Sequence, residues 1–152
     1  MKRVTFGQKL EKLRTKKGIS LQQLAKALNL HLSLLYKYLN GECLPSVENA
    51  VKIADYFRRP LNFLFGLRRG EKECVTFETF AERFAYALQK RGVSRYKFVK
   101  ETGLSKESVD KWAKGQRQPS TEGLIIAAKY LNCSLDFLAG RELKNNLSVE
   151  WI

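Results

Sequence analysis

At 152 residues the chain is long enough for one medium domain or two small ones, and 28 lysines and arginines against 15 acids leave a net charge of +13. The apolar share of 44% is ordinary for a globular protein, and the longest nearly apolar run, Gly123 to Ala128, is far too short to span a membrane. Three scattered cysteines, Cys43, Cys74 and Cys133, and one histidine show no zinc-ligand spacing, so they read as reduced thiols of a cytoplasmic protein with no metal or cofactor site.

In chain order, Met1-Lys2-Arg3 is followed by no apolar stretch of signal-peptide type. Phe6, Leu10 and Leu13 recur at helical spacing on a basic strip that ends at Gly18, a C-cap signal. Ser20 is placed to cap a second helix with Leu21, Leu24, Ala25 and Leu28 on one face. Asn29, a residue that tolerates the left-handed conformation, makes the turn. A third short helix holds Leu32 to Leu39 and stops near Asn40-Gly41. Pro45-Ser46 opens a fourth, with Val47, Ala50, Val51 and Ala54 expected inward, and Leu61 to Phe65 forms a last turn closed by Gly66.

The same plan then recurs. Displaced by 74 residues, 6–66 lies over 80–140 without a gap, and 17 of the 61 pairs are identical. Phe6 meets Phe80, Ser20 meets Ser94, Leu30 meets Leu104 and Lys37 meets Lys111. Pro45-Ser46 meets Pro119-Ser120, and Gly41 and Gly66 meet Gly115 and Gly140. The matches are mostly core residues and backbone punctuation, so a fold is repeated. Gly92 ends the first helix of the second copy, Ser94 caps the second helix, Gly103 makes the turn, and Ser105 caps the third helix. The expected organisation is one helical domain at 1–66, a linker at 67–79, a second helical domain at 80–140 and a tail at 141–152. Units of about 60 residues have marginal cores.

The charge follows the repeats. Residues 1–66 carry 12 basic and 4 acidic side chains and residues 80–140 carry 11 and 6, whereas 67–79 and 141–152 are balanced. Solubility alone asks for less. Two copies of one small basic fold suit a long, repetitive polyanion, and nucleic acid fits that description.

Helix, short turn, helix is the DNA-reading unit of many repressors. The order G-[IV]-S, an apolar-Ala/Val pair, a turn with Asn or Gly, a short capped helix, G-x-x-x-P-S and L-x-F-L-x-G resembles the Cro/C1-type (XRE-like) helix-turn-helix family over 6–66 and again over 80–140. The resemblance implies an all-α fold of two tandem five-helix, lambda-repressor-like domains. It also implies that the third helix of each copy lies in the major groove of duplex DNA. Its outward positions are Leu32, Ser33, Tyr36 and Lys37 in the first copy and Lys106, Glu107, Asp110 and Lys111 in the second. The start of the second helix, Leu21 and Gln22 or Arg95 and Tyr96, is expected at a phosphate. The loop after the third helix offers Asn40 in the first copy, and Lys114 and Arg117 in the second. Leu35 and Tyr38, with their counterparts Val109 and Trp112, anchor the reading helix on the core.

The chain also departs from the family pattern. The family often pairs an Arg late in the first helix with a Glu late in the third; here Arg14 faces Leu39, and Leu88 faces Ala113. Val99 stands where a small residue is usual. Apolar Leu32 and Leu34 either meet thymine methyl groups or turn this face towards a protein.

No nucleophile–base pair or phosphate-binding glycine loop points to an enzyme. The lone His31 reads as an exposed turn residue. The expected function is a sequence-specific transcriptional regulator of bacterial or phage type, a repressor. The alternative is a protein-binding module of the same fold, such as an antitoxin or an inhibitor of a nucleic-acid enzyme. Leu32, Leu34 and the tail ending in Trp151-Ile152 want cover, which favours a homodimer over a monomer with two readers. The segments Cys74 to Phe77 and Leu147 to Trp151 alternate apolar and polar residues and suit a short β pairing.

Overall fold

The structure is a computed structural model that describes residues 5–68 and 76–141. These form two compact units, one on each side of the segment 69–75. The first holds α1 (Phe6–Lys17), α2 (Leu21–Leu28), α3 (Leu32–Leu39), α4 (Val47–Phe57) and α5 (Leu61–Leu64). The second holds α6 (Phe80–Arg91), α7 (Arg95–Thr102), α8 (Lys106–Ala113), α9 (Thr121–Leu131) and α10 (Leu135–Ala139). The described residues contain no strand, as expected of an all-α fold. The β pairing expected of Cys74 to Phe77 and Leu147 to Trp151 falls almost wholly outside them, and Thr76 and Phe77 are not in a strand.

Local chemistry explains the boundaries. Thr5 and Gln8 form a capping box at the start of α1: the Gln8 N–H donates to Thr5 Oγ1 at 3.2 Å and the Thr5 N–H to Gln8 Oε1 at 2.9 Å. Ser20 and Gln23 repeat the device on α2. In the second unit the hydroxyls of Thr79, Ser94, Ser105, Ser120 and Ser134 cap α6 to α10. The turn inside each helix-turn-helix needs one left-handed residue. Asn29 supplies it at φ 54° and its counterpart Gly103 at φ 73°.

The cores occupy matching positions with different side chains. Leu10, Leu24 and Leu35 are fully buried in the first unit, and Phe84, Phe98 and Val109 replace them in the second. The second core is therefore aromatic. Phe84 meets Phe98 edge-on at 5.2 Å and Trp112 at 6.0 Å between ring centroids. On α4 the inward stripe is Ala50, Ile53 and Ala54. Val47 and Val51, expected inward, flank that stripe half-buried.

One compensation separates the copies. The Tyr38 hydroxyl oxygen accepts from Asn49 Nδ2 at 3.0 Å. The second unit places Trp112 and Gly123 at the same two positions, and a Cβ on Gly123 would lie 3.0 Å from the Trp112 ring. The larger indole fits because the facing residue has lost its side chain. At the α1–α3 crossing, a Cβ on Gly7 would lie 2.6 Å from the Tyr38 carbonyl oxygen and 2.7 Å from that of Leu39. Neither neighbour is a flexible side-chain end. Gly7→Ala is expected to destabilise the first unit by about 1–3 kcal/mol through overpacking, despite alanine's better helix propensity. Denaturant unfolding of the full chain checks this, and a stabilised variant would show that the helices separate at little cost.

Candidate nucleic-acid interface

The third helix of each unit is held by its inward side. Leu35 and Tyr38 seat α3 with 0% and 3% exposure, and Val109 and Trp112 seat α8 with 0% and 4%. The opposite side of α3 is thereby turned outward. Ser33, Tyr36 and Lys37 stand exposed at helical spacing, with Tyr36 49% accessible. Leu32 and Leu34 are half-buried, so the apolar surface they leave to a partner is small. Asn40 is exposed at the end of α3, where its N–H donates to the Tyr36 carbonyl at 2.9 Å. Gln22 is exposed in the first turn of α2 and Leu21 half-buried. That turn carries no acidic side chain, which leaves the positive end of the helix dipole unopposed.

The second unit presents the same face with different electrostatics. Lys106, Glu107, Lys114 and Arg117 are exposed, Asp110 and Lys111 half-buried. Lys111 Nζ donates to Glu107 Oε1 at 2.8 Å, one turn back on α8. Arg95, at the start of α7, reaches Asp110 with 3.4 Å between Nη1 and Oδ1. The hydrogen bond from Lys111 holds the Glu107 carboxyl below the usual carboxylate range, aided by the charges of Lys111 and Arg117. Tyr96 beside Arg95 is 77% exposed. The first turn of α7, like that of α2, has no acid.

The tie between Arg95 and Asp110 has no periodic signature, because 15 residues and a helix turn separate its ends. The family's Arg–Glu pair between first and third helices is replaced in the first unit. Arg14 donates from Nε to Glu11 Oε2 at 3.0 Å on its own helix. It also donates to the Ile19 carbonyl at 2.8 Å, bracing the turn into α2.

Other candidates take structural places. Trp112 is buried as a core anchor, and His31 is an exposed N-cap residue whose side chain makes no cap hydrogen bond. Cys43 is exposed and Cys133 buried, neither in a disulfide, and Cys74 lies outside the described residues. Among the described residues no group of three metal-ligating side chains converges, and no helix is long and apolar enough to cross a membrane.

The helix-turn-helix family model matches residues 10–64 and again residues 84–138. An uncharacterized HTH-type transcriptional regulator of Haemophilus influenzae is 30% identical over 74 residues, which is 48% of this chain and 30% of that protein. The chain thus spans less than a third of the relative it matches. No solved structure matches.

Proposed function

This chain belongs to the helix-turn-helix family of Cro/C1 (XRE-like) type through both of its repeats, and from that premise we propose that it is a duplex-DNA-binding regulator of transcription, sequence-specific and acting as a repressor. A repressor of this kind needs no reaction centre or cofactor: occupancy of a regulatory site excludes other proteins. The observation that carries the reading is the coincidence of charge and geometry. The excess positive charge lies in the two repeats, and each turns an exposed polar helix face outward beside an acid-free helix start. Cytoplasmic location, where DNA and reduced cysteines coexist, belongs to the same proposal.

Reading and holding fall to different side chains. Tyr36, Lys37 and Lys111 face base edges, with Ser33 and Lys106 at the entrance of each helix. Gln22, Asn40, Arg95, Tyr96, Lys114 and Arg117 face phosphates. Lys37→Ala is expected to weaken binding to the preferred site more than binding to random duplex, whereas Arg117→Ala weakens both equally. Competition mobility shifts with a selected site and a scrambled one measure the two ratios. Equal ratios for both variants would remove this docking of α3. Loss of all duplex binding by the unmodified chain would instead favour the protein-binding alternative, for which Tyr36 and Leu44 are exposed apolar anchors.

A further inference from the structure

The two reading helices differ in the one respect that matters most near DNA. α3 carries no acidic side chain, whereas α8 carries Glu107 and Asp110 on its outward side. Phosphates, guanine O6 and N7, and thymine O4 are all acceptors, and a carboxylate next to them is repelled. The acids of α8 therefore weaken indiscriminate binding, and each must have a task that outweighs this.

Asp110 has a partner within the protein. Its carboxylate lies 3.4 Å from the Arg95 guanidinium across the α7–α8 turn and steadies it at the start of α7, where the proposed docking sets a phosphate. Asp110 is thus a positioning residue. Glu107 differs. Its side chain is 77% exposed, in the first turn of α8, and its bond to Lys111 engages one carboxylate oxygen. Ionised, it accepts hydrogen bonds and donates none. Major-groove donors are the amino groups of cytosine N4 and adenine N6. Adenine sets the acceptor N7 beside its amino group, which opposes a carboxylate and suits an amide. Cytosine sets a C–H there. The paired guanine then offers O6 and N7 as acceptors for a cation next to the carboxylate, and Lys111 is that cation.

We propose that Glu107 and Lys111 together select a C·G base pair in the DNA half bound by the second repeat, so that the two repeats demand chemically unlike half-sites. The proposal rests on the reading of the chain as a duplex-DNA binder. The first repeat, with Leu32, Ser33, Tyr36 and Lys37, has nothing to accept a cytosine amino proton through a carboxylate. The second enforces cytosine at one position by rejecting the alternatives as much as by binding it.

Selection of bound duplexes from a random library, with the full chain and with Glu107→Gln, tests this. The unmodified chain should enrich cytosine at one position by about tenfold over the other bases. Glu107→Gln keeps the size of the side chain and adds a donor, so enrichment at that position should move from cytosine to adenine. Its affinity for random duplex should rise severalfold, because a negative charge beside phosphates has gone. A variant that selects the same bases as the unmodified chain overturns the proposal and leaves DNA binding intact. So does an enriched site without a cytosine position sensitive to Glu107. If the unmodified chain retains no duplex at all, the regulator reading itself fails. Glu107 is on the surface, and an unchanged circular dichroism melt confirms that the variant is folded.

Discussion

Affinity for duplex DNA is expected to fall about 10³-fold between 50 and 200 mM salt if roughly 6 phosphates are neutralised. The physical ground is counterion release: each cation that replaces a condensed counterion contributes to the slope. The net charge of +13 supplies the cations, and its confinement to the repeats sets them on the folded surface. The second repeat should contribute less to that slope than its count of basic residues suggests. Lys111 is engaged by Glu107, and Arg95 by Asp110. These are exposed or half-exposed pairs of small intrinsic strength, so Arg95 can still turn to a phosphate, but the acids stay nearby. Binding isotherms by fluorescence anisotropy at four salt concentrations give the slope. A slope near zero, or no binding at low salt, would exclude contact through these basic faces.

Asp136→Ala is expected to cost the second unit about 3–5 kcal/mol. Asp136 and Arg141 are 2% and 7% exposed in their side chains, with 2.6 Å between Oδ1 and Nη1. Removing the carboxylate leaves a buried guanidinium without this counter-charge, which is more damaging than never having built the pair. Replacing both, as Asp136→Leu with Arg141→Met, should recover most of the loss, because the desolvation of two charges is then also removed. The first unit provides the contrast. Asn62, at the position matching Asp136, donates from Nδ2 to the Arg68 carbonyl at 2.8 Å. Asn62→Ala should cost only about 1–3 kcal/mol, the usual penalty for a buried hydrogen bond. Urea unfolding followed by Trp112 emission, with Trp151→Phe to silence the other tryptophan, reports the second unit. A loss under about 1 kcal/mol for Asp136→Ala would show that Arg141 reaches water once its partner is gone.

Arg83 shows how far matching positions diverge. It aligns with Lys9, whose ammonium sits 4.1 Å from the centroid of the Phe63 ring. Arg83 is instead 8% exposed, and its Nε donates to the Leu138 carbonyl at 3.0 Å and its Nη1 to the Phe77 carbonyl at 2.8 Å. Burial lowers its pKa, with the nearby Glu82 charge acting the other way. Gly140 leaves room for the guanidinium: a Cβ there would be 2.9 Å from Nη1.

Whatever depends on near neighbours in the chain was legible from the amino acids alone. Ser20, Ser94 and Ser105 cap helices because a hydroxyl reaches an N–H three residues on, and Asn29 and Gly103 turn the chain because they accept a left-handed backbone. The 74-residue echo carried the fold, since it preserves these signals and the apolar spacing together. The outward positions of α3 and α8 came from the family resemblance, as the complement of Leu35, Tyr38, Val109 and Trp112. Other features needed the helices in place. Nothing in the sequence around Gly7 announces that two carbonyls of α3 press on it, because the close approach belongs to a helix crossing. Asp110 counts, by the resemblance, as an outward position facing the groove until the fold sets it against Arg95. Nor does the sequence around Arg83 announce that the carbonyls of Phe77 and Leu138 close around it. Such pairings are made by the packing of distant segments, where the cost of burying a polar group is met only when its partner arrives from elsewhere in the chain.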